Sequence, residues 1–211
     1  MTAPRALFPT WIVALLFAAI VSSLPAAVLG RAQSAAGQSR GSGQARVLDL
    51  DDRTVDPLQA PPGIRAIVLI FASVDCAISN RYAPEVRRLH DTYAARGVRF
   101  WLVYPNPAEL VAAIRDHVTA FAYPIGALRD PRHDLVRLAE VTVTPEAAVF
   151  NSSRTLIYHG RIDDRYADIG VDRQVPGRRD LEEALVATLA GRPPAHTATR
   201  AVGCVLADFI R

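Results

Sequence analysis

Beyond residue 46, short continuous apolar runs alternate with stretches whose apolar positions recur at helical spacing. Val47 to Leu50 predicts a short leading strand ahead of the Pro61-Pro62-Gly63 turn. Ala66 to Phe71 reads Ala-Ile-Val-Leu-Ile-Phe, a run of strand length suited to a central strand buried on both faces. From about Ile78 to Ala95 a helix is expected, with Val86, Leu89 and Tyr93 on one face and Gly97 as its stop. Pro84 falls inside that helix and predicts a kink. Val98 to Tyr104 is the next strand. Asn106 then caps a helix starting at Pro107 and reaching about His117, with Leu110, Val111 and Ile114 facing inward. Tyr123 to Leu128 is a short extended piece, and Asp130 caps a short helix through about Ala139. Ala147 to Asn151 and Thr155 to Tyr158 pair as a hairpin around Ser152-Ser153-Arg154, and a final helix, Leu181 to Leu189, ends at Gly191. The order β-α-β-α followed by β-β-α predicts an α/β domain, a central sheet covered by helices.

The flanks differ in character. Arg5 precedes an uncharged stretch from Ala6 to Gly30, with small-residue cleavage sites near Ala26-Ala27-Val28 and Ala32-Gln33-Ser34. Residues 1–30 therefore read as an export signal or, being about the length of the ~20 residues a span needs, as an uncleaved membrane anchor. The basic flank after the stretch (Arg31, Arg40, Arg46) runs against the positive-inside tendency for an anchor. Residues 31–45 form a polar linker, residues 46–191 the domain, and residues 192–211 a tail that leaves through Arg192-Pro193-Pro194 and carries Cys204.

Composition narrows the class. In 211 residues, half apolar and 21% charged, one core of ordinary size fits. All basic residues are Arg, scattered among nearly as many Asp and Glu, so no basic stripe points to nucleic acid. Export to a periplasmic or extracellular setting changes how two cysteines are read, because there an even pair can be bridged.

Cys76 stands in Phe-Ala-Ser-Val-Asp-Cys-Ala-Ile-Ser-Asn-Arg, just past a buried strand and at the start of a helix, where unpaired N–H groups favour a thiolate. Asp75 opposes ionisation and Arg81 is the nearest cation in sequence; a small apolar core cysteine is the plain alternative. Val143-Thr144-Pro145 precedes the hairpin, and its X-Pro bond is a candidate cis peptide. Such a bond would expose the Thr144 backbone beside the thiol, where an incoming chain can add as a strand. The run Gly160 to Tyr166 is densely charged, which predicts a salt-bridged surface, with a substrate-contacting loop or a weak cation site at Asp163 and Asp164 as alternatives. His117, His133 and His159 are isolated and read as packing or surface residues.

These residues together resemble the redoxin branch (alkyl hydroperoxide reductase and thiol-specific antioxidant) of the thioredoxin-like proteins. The resemblance spans roughly Val47 to Gly191 and rests on the apolar strand before Cys76, on Pro84, on Val-Thr-Pro-Glu-Ala-Ala-Val-Phe-Asn and on Leu-Ile-Tyr-His-Gly-Arg-Ile. It implies a thioredoxin-like fold with a mixed central sheet, Cys76 as the attacking sulfur and Pro145 as a cis proline facing it. Two departures stand out. Ser79 replaces the second cysteine of Cys-x-x-Cys, and of the peroxidase pattern Pro-x-x-x-Thr-x-x-Cys only Ser73 remains at the hydroxyl position, with Leu69 in place of the proline. Cys204 answers the first departure if the tail folds back: it then resolves a mixed disulfide at Cys76 or forms a static bridge, worth about 4 to 5 kcal/mol in the chain-entropy model.

The expected function is that of an exported thiol-disulfide oxidoreductase acting on protein thiols or disulfides, with no cofactor. Peroxidase activity ranks lower. A second reading is similar to the copper-delivering thioredoxin-like proteins of cytochrome oxidase assembly, with Cys76, Cys204 and one His as Cu(I) ligands, although that family's paired cysteines in one short loop are missing here. A third keeps the fold as a binding domain for exported redox proteins.

Overall fold

The structure is a computed structural model, and it describes residues 45–206. The export or anchor segment and most of the linker lie outside the described residues. Among the described residues, no helix is long and apolar enough to cross a membrane.

Two short strands come first, β1 (Val47–Leu48) and β2 (Thr54–Val55), paired antiparallel. The apolar run forms β3 (Ala66–Phe71), with every residue buried. Next follow α1 (Ala77–Arg81), α2 (Ala83–Tyr93) and a single 3-10 turn at Ala94–Arg96 that closes on Gly97 in the left-handed region. The expected kinked helix is thus two helices broken at Tyr82. Pro84 sits in the first turn of α2, where a missing N–H costs nothing, so the proline starts a helix instead of bending one.

β4 (Val98–Tyr104) leads to α3 (Val111–Ala120), which begins later than Asn106 predicts. Asn106 instead closes a turn, its Oδ1 accepting from the Ala108 N–H at 2.9 Å, and Leu110 is left exposed at the end of that turn. The side chains that α3 buries are Ile114 and His117. β5 (Gly126–Arg129) and α4 (Asp134–Ala139) come next. Asp130 does cap α4: its carboxylate accepts the N–H groups of Asp134, Leu135 and Val136 at 2.7, 2.9 and 3.0 Å. Burial nevertheless pushes its pKa up to about 6 against those three donors.

After β6 (Val143–Thr144), the hairpin is β7 (Glu146–Asn151) and β8 (Leu156–Gly160), as the turn residues predict. A small hairpin absent from the sequence reading, β9 (Tyr166–Asp168) with β10 (Val171–Asp172), precedes α5 (Asp180–Leu189). The chain ends its described course in β11 (Cys204–Val205).

Seven strands form one mixed sheet in the order β2-β1-β5-β4-β3-β7-β8. β3 pairs parallel with β4 and antiparallel with β7, which places it inside the sheet, next to the middle strand β4. Its alternate side chains serve two cores. Ala66, Val68 and Ile70 join the cluster that includes Val86, Leu89, Ile114, Leu181 and Leu185, while Ile67, Leu69 and Phe71 join Leu128, Leu135, Phe150 and Leu206. Helices therefore cover both faces, and the C-terminal end of β3 delivers the chain to Cys76.

Asp130→Ala removes the acceptor of three helix N–H groups at a site 1% exposed. The expected cost is about 2 kcal/mol, read as a lowered denaturation midpoint in urea; an unchanged midpoint would show that the cap is not needed.

Candidate active site

The loop from β3 into α1 is held by a buried polar network. The Ser73 hydroxyl donates to Glu109 Oε1 at 2.7 Å, and the Val74 N–H donates to the same oxygen at 2.9 Å. Asn80 Nδ2 donates to the Val74 carbonyl at 3.3 Å, leaving its Oδ1 to accept from His117 Nε2 at 2.7 Å. His117 Nδ1 then accepts from the Tyr104 hydroxyl at 2.8 Å. Burial lowers the pKa of His117, which keeps this ring neutral, and burial raises that of Glu109 in spite of its two donors. Glu109 and His117 were not predicted as parts of the site: they lie on the β4–α3 side of the chain, and nothing in their local sequence marks the contact.

Cys76 ends this loop as the residue capping α1, with extended backbone, and is 1% exposed. Its thiol donates to the Thr144 carbonyl at 3.1 Å. The Thr144–Pro145 bond is cis, and Thr144 is fully buried. Cys204 is the neighbour on the other side: its thiol donates to Cys76 Sγ at 3.1 Å, and both cysteines are free.

What places Cys204 there is backbone pairing. β11 runs antiparallel to β6 with Cys204 opposite Thr144 and Val205 opposite Val143, and the Leu206 N–H donates to the Thr142 carbonyl at 2.9 Å. A few residues upstream, the tail is fixed to the sheet edge. The His159 N–H donates to the Thr197 carbonyl at 3.0 Å, and the Thr199 N–H donates to the His159 carbonyl at 3.1 Å. The Thr199 hydroxyl lies 2.6 Å from the Tyr158 hydroxyl and accepts the Arg161 N–H at 3.1 Å. Gly160 is required at this crossing, because a Cβ there would stand 2.4 Å from both Thr199 oxygens. The tail is thus laid along β8 and then across β6, the fold-back on which a role for Cys204 depended.

The two sulfurs are unequal. Burial opposes ionisation of Cys76, but donors from Ser79 and Cys204 outweigh it, and its pKa falls below that of an ordinary thiol. Ser79 is buried on α1, and its hydroxyl, otherwise without a partner, is available to a thiolate at residue 76. Cys204, although exposed, is pushed the other way by partial desolvation and by the adjacent Cys76 sulfur. Cys76 is therefore the sulfur that ionises first.

Other predicted residues are placed differently. Arg81 makes an ion pair with Asp172 at 3.9 Å, so the nearest cation in sequence is engaged with the β9–β10 hairpin. Asp75 contributes charge felt by Glu109 and His117. Ser73, at the hydroxyl position of a peroxidase motif, has its hydroxyl committed to Glu109. In the charged run, Asp163 is not on the surface: it is 1% exposed and accepts from the Tyr82 hydroxyl at 2.6 Å and the Arg165 N–H at 2.9 Å. Arg161 pairs with Asp180 at 2.7 Å and Asp164 with Arg173 at 2.6 Å, so this segment ties α5 and the small hairpin to the sheet. Among the described residues, no three His, Cys, Asp or Glu side chains converge as a metal site, so the ligand set of the copper reading is not assembled.

No protein-family model matches the chain, and no curated protein matches it. Solved structures do. An uncharacterized conserved protein from Geobacillus kaustophilus is 21% identical with a TM-score of 0.64, covering 77% of this chain and 88% of that one. A hypothetical protein from Sinorhizobium meliloti is 22% identical with a TM-score of 0.64, over 76% of this chain and 88% of that one. A candidate thiol:disulfide interchange protein DsbE from Chlorobium tepidum is 13% identical with a TM-score of 0.52, over 69% and 92%. At these identities the likeness is one of fold, and the fold is thioredoxin-like: a mixed central sheet flanked by helices.

Removing a donor to the Cys76 thiolate raises its pKa. In a thiolate-absorbance titration, the first ionisation of the wild-type protein is expected below that of an ordinary cysteine thiol. Both Ser79→Ala and Cys204→Ala should move it upward. A first step unmoved by either substitution would contradict the assignment of donors.

Proposed function

We propose that the chain is an exported thiol-disulfide oxidoreductase in which Cys76 is the nucleophile and Cys204 the resolving cysteine. The observation that carries this reading is the 3.1 Å separation of the two free sulfurs, set by the pairing of Cys204 with Thr144. Ser79 occupies the place of a nearby second cysteine, and the tail supplies a thiol to the same sulfur from the other side.

The exchange balances in two displacements. The Cys76 thiolate attacks one sulfur of a partner disulfide; the Cys76–partner bond forms, the partner bond breaks, and its other sulfur leaves as a thiolate that takes a proton from water. Cys204 then loses its proton to water and attacks Cys76 Sγ; the Cys76–Cys204 bond forms and the first partner sulfur leaves and is protonated. The partner disulfide is reduced to a dithiol, and the protein dithiol is oxidised to a disulfide. An external dithiol resets it by the same steps, and the reverse sequence oxidises a partner dithiol. The higher pKa of Cys204 suits the order, since the sulfur that ionises first attacks first and the other remains a thiol until needed.

The export reading rests on the Ala6 to Gly30 stretch, which suits a periplasmic or extracellular placement, and on the use of a cysteine pair.

The roles separate in single variants incubated with a disulfide-containing protein and analysed under non-reducing conditions. Cys76→Ser should form no mixed disulfide, whereas Cys204→Ser should accumulate one that the wild type clears. Equal turnover by wild type and Cys204→Ser would exclude the tail as the resolving element, and trapping by Cys76→Ser would exclude Cys76 as the nucleophile.

A further inference from the structure

The strand at Cys204 fills the backbone edge that Val143 and Thr144 present beside the Cys76 sulfur. Thr144 and Val143 have their antiparallel partners in Cys204 and Val205, and the Thr142 carbonyl is taken by the Leu206 N–H. The tail is thus a strand added to a sheet element, with its own sulfur delivered to Cys76.

Its side chains fit this edge in an uneven way that amounts to a sequence pattern. Gly203 lies against the Thr144 carbonyl: a Cβ at residue 203 would stand 2.0 Å from the oxygen and 2.6 Å from the carbon, closer than any side chain can approach. Its φ is not positive, so the requirement there is for space alone. Val205 is 53% exposed and makes little demand on its identity. Leu206 is 2% exposed and joins the core cluster that includes Leu135, Val141 and Phe150. The edge therefore accepts glycine, then cysteine, then a free position, then a buried aliphatic residue.

Resting on the proposed exchange activity, with the partner docked as a strand at this edge, we infer that the edge selects extended segments of the pattern Gly-Cys-x-aliphatic and that residues 203–206 are its resident competitor. A partner and the tail cannot both pair with Thr144. The partner segment displaces residues 203–206, while the upstream contacts of Thr197 and Thr199 with β8 keep the tail tethered a few residues away. The returning strand brings the Cys204 sulfur to Cys76 and takes back the backbone edge in one movement. Resolution of the mixed disulfide and release of the partner are thereby the same event, favoured by the high effective concentration of a short tether.

The test uses the full-length Cys204→Ser chain and a peptide of residues 201–206, Ala-Val-Gly-Cys-Val-Leu, with its cysteine blocked as a thionitrobenzoate disulfide. Attack by Cys76 on the peptide sulfur forms the protein–peptide bond and expels thionitrobenzoate, which is followed by its colour. Two altered peptides carry alanine for the glycine and aspartate for the leucine. Release is expected to be about tenfold or more slower with either altered peptide, the scale on which a buried leucine or a blocked backbone approach discriminates. Adding Leu206→Asp to the protein, which loosens the competitor, should speed release from the parent peptide. Equal rates for the three peptides, or no acceleration by Leu206→Asp, would overturn this inference and leave Cys76 as a general nucleophile. No release from any peptide would overturn the exchange reading as well.

Discussion

Two residues of antiparallel pairing, Cys204 with Thr144 and Val205 with Val143, bring together sulfurs that are far apart along the chain. So short a ladder would not persist alone, because ordering each residue costs about 1 to 2 kcal/mol in backbone entropy. It is held at both ends. Leu206 is inserted in the core beneath α4, and Thr197 and Thr199 are hydrogen bonded to the exposed side of β8, which also covers an otherwise open sheet edge. The position of the second sulfur is therefore a product of the whole domain's packing.

The first sulfur is fixed by different means. The central strand ends at Phe71, and the next five residues carry the chain to Cys76 while Glu109, Asn80 and His117 hold the intervening backbone. Glu109 takes the Ser73 hydroxyl and the Val74 N–H, Asn80 takes the Val74 carbonyl and is itself held by His117, and the thiol is aimed at the Thr144 carbonyl. Burial alone would keep such a thiol protonated. The donors from Ser79 and Cys204 tilt the balance toward the thiolate. Ser79, three residues after Cys76, is thus placed to donate to its thiolate.

Much of this was legible in the residues. The six-residue apolar run suited a strand buried on both faces, and β3 is that strand; Ser152-Ser153-Arg154 and Gly191 marked the β7–β8 hairpin and the last helix. Boundaries failed where a local signal had two readings. Pro84 serves a helix start as readily as a kink, and Asn106 closes a turn as readily as it caps α3. The structure brings together Cys76, Thr144, Pro145 and Cys204, whose residue types made them legible as candidates. Glu109, His117 and Asn80 were not, since their importance comes from contacts across the fold that no local pattern encodes. Asp163 misled for the converse reason: a charged neighbourhood in sequence holds a carboxylate that the fold buries against Tyr82.

The proposed exchange requires residues 76 and 204 to form one redox couple. Peptide mapping by mass spectrometry, after mild oxidation of the full-length protein with a small disulfide and again after treatment with a dithiol, tests this directly. The expected result is a single intramolecular Cys76–Cys204 linkage that appears on oxidation and disappears on reduction. Two unlinked cysteines, or linkage only between separate chains, would contradict it.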